Sequence, residues 1–248
     1  MRVILPPLFL AWLTVCTLSA EGKKVFAIDP GHGGSANSGS MAARTLSSPN
    51  NAHTPSGILE KTLTLELSLE IAAALERLGS ERGIPVEVRL TRRGDENPDF
   101  AERARRCLGN GPPPVAIVSI HFNASDGHNA RGSLGMVAAP DHNPGFARDK
   151  TFAATLASAC ASGVAASSPG AKARQPITDA HLHGGKGSNF FHQIQLIPEL
   201  RGIPKCFLEV EFIDRKDVDD GLIRTRSSSF PKIANAIARA LLATETTP

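Results

Sequence analysis

Two of the eight histidines in this 248-residue chain follow runs that read as buried strands. His32 closes "VFAIDPGH" and His121 closes "VAIVSIH", and small or polar residues follow each, "GG" and "FNAS". Continuous β-branched runs mark strands covered on both faces, and open α/β sheets bind ligands at the carboxyl ends of their strands. Two adjacent central strands would therefore deliver both imidazoles to one sheet edge. Glu60 stands three residues before Leu63 and seven before Leu67, so helical spacing puts it on an apolar stripe, at the helix's first turn. The helix dipole favours an acid there, but a carboxylate on a buried stripe also needs a partner, because an unpaired buried charge is costly. Two imidazoles and one carboxylate make a three-ligand zinc set with a fourth position open to water, which is the catalytic pattern. Asp29 either orients an imidazole from behind or forms a plain Asx turn.

A hydrolytic centre of this kind also needs a base. In "KCFLEVEFI", Glu209 and Glu211 interrupt an apolar strand, and at spacing two they are expected on one face. Carboxylates in a buried run are unusual. Either they mark the wet face of an edge strand or one of them is the general base, tuned by partial burial. The remaining histidines carry less. His53, His128, His142 and His192 lie in polar loops and read as solvated; His181 and His183 form "HLH" in a glycine-rich loop with no strand or helix to hold it.

The frame that would position these groups is an alternation of strands and helices. Strands are expected over 25–28, 86–90, 115–120, 132–138 and 205–213. Helices are expected from 58 onward, where Leu63, Leu67, Ile71, Leu75 and Leu78 make one stripe, and over 98–108, 152–166 and 231–243. The stretches 29–57 and 167–201 read as loop. This predicts a single α/β domain with a twisted, mostly parallel sheet and helices on both faces.

Composition bounds the rest. Apolar residues make up 41% and charged residues 21% of the chain, as in ordinary globular proteins. A net charge of +3 is too weak to argue for nucleic acid. The densest basic cluster, Arg103, Arg105 and Arg106, includes Glu102 and reads as a solvated helix face. At the N-terminus, Arg2 precedes an apolar core and small residues, the plan of a secretory signal peptide over 1–20. The run 3–15 is short for a membrane span and is interrupted by Pro6 and Pro7. The expected mature chain, 21–248, keeps no stable span and places the protein in the periplasm first, with secretion as the other destination. It retains Cys107, Cys160 and Cys206, an odd set with no Cys-x-x-Cys pair, so a thiolate metal site has no support.

Taken in order, "AIDPGHGG", a Glu at a helix start, "SIHFNAS" and "FLEVEFI" resemble the zinc-dependent N-acetylmuramoyl-L-alanine amidases that cleave bacterial peptidoglycan. The resemblance spans about 24–242. It implies a sheet of about six strands, zinc held by His32, Glu60 and His121, and hydrolysis of the amide between the muramic acid lactyl group and L-alanine. The family's catalytic Glu stands three residues before a Phe, and Phe212 then selects Glu209. Gly33 and Gly34 are expected to leave room for metal and substrate. "LTR", 90–92, is similar to another family element without an assigned role. Some members carry an inhibitory helix displaced by an activator protein, so 167–201 is a candidate lid or regulatory insertion. Rival readings are another zinc peptidase acting on cell-wall peptides and a catalytically inactive wall-binding activator.

Overall fold

The computed structural model describes residues 22–244; the expected signal segment lies outside the described residues. Six strands form one sheet in the order β2-β1-β3-β6-β4-β5: β1 Lys24–Pro30, β2 Val86–Leu90, β3 Ala116–Asn123, β4 Leu134–Val137, β5 Ile177–Thr178 and β6 Lys205–Phe212. The pairs β1–β2, β1–β3 and β3–β6 are parallel, while β4 runs antiparallel to β6 and carries β5 parallel to itself. The histidine-bearing strands β1 and β3 are thus neighbours in the middle of the sheet, as expected.

Seven helices are described: α1 Glu60–Glu81, α2 Phe100–Leu108, α3 Phe146–Ala165, α4 Asn189–Leu196, α5 Pro198–Arg201, α6 Lys216–Val218 and α7 Arg226–Leu242. The stripe read from α1 is real: Leu63, Leu67, Ile71, Leu75 and Leu78 are all buried. They pack with α3 and α7 against one sheet face. The opposite face is covered by α2 and α4, through Ala104, Cys107, Phe190 and Ile194. Both faces are therefore dry, which explains the unbroken apolar runs of β1 and β3. None of the described helices is long and apolar enough to cross a membrane. The three described cysteines are free and buried.

Three expectations change. His121 lies inside β3 rather than beyond it. Arg103 is not on a solvated face: its side chain is 0% exposed, while Arg105 and Arg106 do reach solvent. Phe100, Arg103, Ala104 and Cys107 share one helical face, and that face is the buried one. Finally, 167–201 is not loop throughout, since it supplies β5, α4 and α5. These elements are too short for periodicity to reveal, and scattered glycines break the pattern. Phe190, Phe191, Ile194 and Leu200 from this segment are core residues.

Phe190 packs against Phe100 and Phe207, with ring centroids 6.0 and 5.6 Å apart. Replacing it with alanine is expected to destabilise the fold by about 3–5 kcal/mol, read as a lower urea midpoint. An unchanged midpoint would show that α4 is detachable.

Candidate metal centre and active site

The site begins where β1 runs out. Beyond Pro30 the chain turns through Gly31 into His32, whose φ of 61° is in the left-handed region. The turn is held by cations. Arg103 donates to the carbonyls of Pro30 (2.8 Å) and His32 (2.7 Å), and Arg92 to those of Pro30 (3.0 Å) and Gly31 (2.9 Å). Thr64, one turn into α1, adds a 2.7 Å bond to the Gly31 carbonyl. Arg103 is anchored by Asp29 at 2.8 Å, and Asp29 also accepts from Ser119 at 2.6 Å and from Thr91. Burial pushes the Asp29 carboxyl up, but Arg103, Ser119 and Thr91 together hold it below the usual carboxylate range. Asp29 therefore acts through Arg103 and bonds neither imidazole. The groups behind the His32 ring are instead the carbonyl and hydroxyl of Ser48, 3.1 and 3.2 Å from Nδ1.

Sheet pairing sets the other corners. β1 and β3 are in register as Pro30 with Ile120, so the residues just past each pair, Gly31 and His121, come to the same edge. Gly31 is required there: a Cβ at this position would lie 2.4 Å from the His121 ring. Gly33 has a different role from the expected one. A Cβ on it would meet the Glu96 carbonyl at 2.1 Å, so it admits a neighbouring loop and not a ligand.

Glu60 opens α1 with its side chain 2% exposed. One oxygen, Oε1, lies 3.1 Å from His121 Nδ1 and accepts from the Phe122 amide; the other, Oε2, lies 3.2 Å from His32 Nε2 and accepts from the Ala52 amide. Burial raises its pKa, but the two imidazoles win and hold it at about 2. His32 Nε2 is buried and, despite its closeness to Glu60, makes no aligned hydrogen bond. The two rings stand edge to face, 4.9 Å apart.

The donor set fits a metal ion. One ligand atom from each of His32, Glu60 and His121 lies within 4.8 Å of the others. An orphaned imidazole nitrogen facing a carboxylate is what a shared cation would satisfy.

Glu209 sits opposite His121 in the β3–β6 register and lines the same cavity of about 400 Å³. Its Oε2 is buried without a partner. Burial pushes its carboxyl up to about 7, opposed by His121 and reinforced by Glu60. Glu211 does not share this environment. The β3–β6 register shifts between His121 and Asn123, which pair with Glu209 and Phe212, so β6 carries one extra residue there. Glu211 is buried elsewhere, accepting from the amides of Gly132 and Phe212 and paired with Arg131 at 3.2 Å. Sequence reasoning missed Arg92, Arg103, Ser48 and Asn189, the last lining the cavity. The helical face of α2 and the "LTR" stretch were the available signals.

Comparisons with known proteins agree with this geometry. The sequence profile of the N-acetylmuramoyl-L-alanine amidases matches residues 26–243. No curated protein matches. Among solved structures, an N-acetylmuramoyl-L-alanine amidase from Clostridium difficile 630 is similar at 20% identity and a TM-score of 0.61, covering 90% of this chain and 97% of its own. The amidase AmiC2 of Nostoc punctiforme is similar at 22% identity and a TM-score of 0.56, covering 89% of this chain and 96% of its own. The CwlD amidase of Clostridioides difficile, solved in complex with the GerS lipoprotein, is 18% identical with a TM-score of 0.56, covering 90% and 100%. At these identities the structures speak for the fold, and the profile speaks for the family. This chain belongs to the N-acetylmuramoyl-L-alanine amidase family and is, by that membership, a peptidoglycan amidase.

Proposed function

We propose that the chain is a zinc enzyme that hydrolyses the amide between the muramic acid lactyl group and L-alanine, with zinc held by His32, Glu60 and His121 and with Glu209 as general base. The observation that carries this is the His32–Glu60–His121 cluster, with its orphaned imidazole nitrogen and an unpartnered carboxylate in the same cavity. A zinc ion there would polarise the scissile carbonyl and acidify a bound water.

The chain's own residues supply the rest. Glu60 stays ionised and sits against both imidazoles, 3.2 Å from His32 Nε2 and 3.1 Å from His121 Nδ1. Glu209, with a proton affinity near neutrality, takes a proton from the attacking water and returns it to the departing alanine nitrogen. Gly31 leaves the space in which the His121 ring is set. The bonds of Glu211 to two amides and Arg131 support Glu209 over it for this role.

The same reading places 1–20 as a signal peptide, 21–248 as the exported catalytic domain, and the periplasm as its place of work, with secretion as the other destination. An activator protein is a proposed partner. Within 167–201, the exposed turn 181–186 is the part suited to act as a lid, because Leu182 and His183 line the cavity while α4 belongs to the core.

Digestion of purified peptidoglycan, followed by mass spectrometry, is expected to release intact stem peptides with free N-terminal L-alanine, and a chelator should stop it. Trimmed stems would identify a peptidase instead, and metal-free protein without turnover would identify a binding protein. Glu209→Gln is expected to lower kcat by roughly 10²–10⁴-fold while still binding zinc; full activity would reassign the base. Gly31→Ala, which crowds the His121 ring, is expected to weaken zinc affinity on the order of 10–100-fold in competition with a fluorescent chelator. Unchanged affinity would remove His121 from the ligand set.

A further inference from the structure

A second, smaller cavity of about 100 Å³ adjoins the catalytic one, and Ser188 lines both. Its wall is formed by Arg44, His142, Asp179, Lys186, His192 and Gln195 among others. Four of these are basic, His142 and Lys186 exposed and Arg44 and His192 partly buried, and none of the four makes an ion pair among the described residues. Asp179 does not neutralise them. Its oxygens accept from the amides of Ala139 (2.8 Å) and Ser188 (2.6 Å) and serve to hold the wall.

Two further facts point to a missing acceptor. Gln195 Nε2 is buried in this wall without a hydrogen-bond partner. Asn189 Nδ2 is likewise buried and unpartnered, but in the catalytic cavity. Arg44 sets its direction: Nε donates to Asn189 Oδ1 at 3.2 Å, so the amide nitrogen faces away from Arg44. Arg44 itself is fixed by a 2.7 Å bond from Nη2 to the Lys186 carbonyl, and by a left-handed backbone at φ 55°. Its Nη1 has no partner among the described residues. Burial holds His192 below the usual imidazole range, with Arg44 and then His142 adding to the shift.

We propose that this cavity is a carboxylate-binding subsite for the peptide on the leaving side of the scissile amide, with Asn189 donating to a carbonyl of the same peptide at the junction of the two cavities. The inference rests on the amidase reading, which makes a stem peptide the substrate. The volume equals a few waters at roughly 30 Å³ each, enough for a carboxylate and the carbon that bears it. Guanidinium, amide and ammonium donors around one small space suit a planar anion.

The test uses the zinc-loaded full chain and two soluble muramyl peptides, one with free side carboxylates and one with those groups amidated. The wild type is expected to show a KM about tenfold lower for the free acid, with similar kcat for both. Lys186→Ala and His192→Gln should each erase that preference. Equal KM values in the wild type, or a preference that survives in both variants, overturns the subsite. Isothermal titration of the same pair into zinc-loaded Glu209→Gln reads the subsite without turnover. A Kd preference with no cleavage of either peptide by the wild type would keep the subsite and sink the amidase reading; equal Kd values would sink the subsite alone.

Discussion

Arg92 and Arg103 are buried cations, and the candidate site depends on where their charge goes. Among the described residues one carboxylate, Asp29, pairs with either of them. The remaining bonds go mostly to backbone carbonyls, with Thr64 Oγ1 and Asn97 Oδ1 also accepting, and three of the carbonyls belong to consecutive residues, Pro30, Gly31 and His32. Guanidinium suits this task because it presents several donors in a fixed plane and keeps its charge when buried. Removing one member of such a pair leaves an uncompensated buried charge, at a cost of about 3–5 kcal/mol. The left-handed His32 is therefore not free to relax into ordinary backbone. Its backbone is fixed by these buried donors, and its ring is backed by the carbonyl and hydroxyl of Ser48.

The second constraint is sheet register. Parallel pairing of β1 with β3 brings Gly31 beside His121, and parallel pairing of β3 with β6 sets Glu209 across from His121. Glu60 reaches the same point because α1 packs its leucine stripe beneath the sheet and begins at the sheet's carboxyl edge. The opposed pKa values of Glu60 and Glu209 follow from position. Both are buried, but Glu60 has two imidazoles and two amides on its oxygens, whereas Glu209 has a buried oxygen with no donor. Burial with partners keeps an acid charged, and burial without them raises its proton affinity.

Most of the frame was legible in the chain. Long apolar runs and a five-residue stripe survive any local noise, so β1, β3, β6, α1 and α7 were readable and the mostly parallel sheet followed. The ends of elements were less so, as with His121, because strand termination is decided by pairing. The 167–201 segment failed for a clear reason. An eight-residue helix with two adjacent phenylalanines carries no resolvable period, and its identity as core depends on α2 lying across from it.

His32, Glu60, His121 and Glu209 were each marked by the sequence alone, as polar groups set at the ends or on the buried faces of apolar patterns. The sequence determined which residues were out of place in their surroundings, and therefore which chemistry was available. Tertiary structure alone decided how they meet. The extra residue in β6 separates Glu211 from Glu209, although spacing two would align them. The partner of Asp29 is Arg103, seventy-four positions away and on another element. Bulges and long-range ion pairs depend on which strands and helices become neighbours, and no local pattern in one chain segment carries that information.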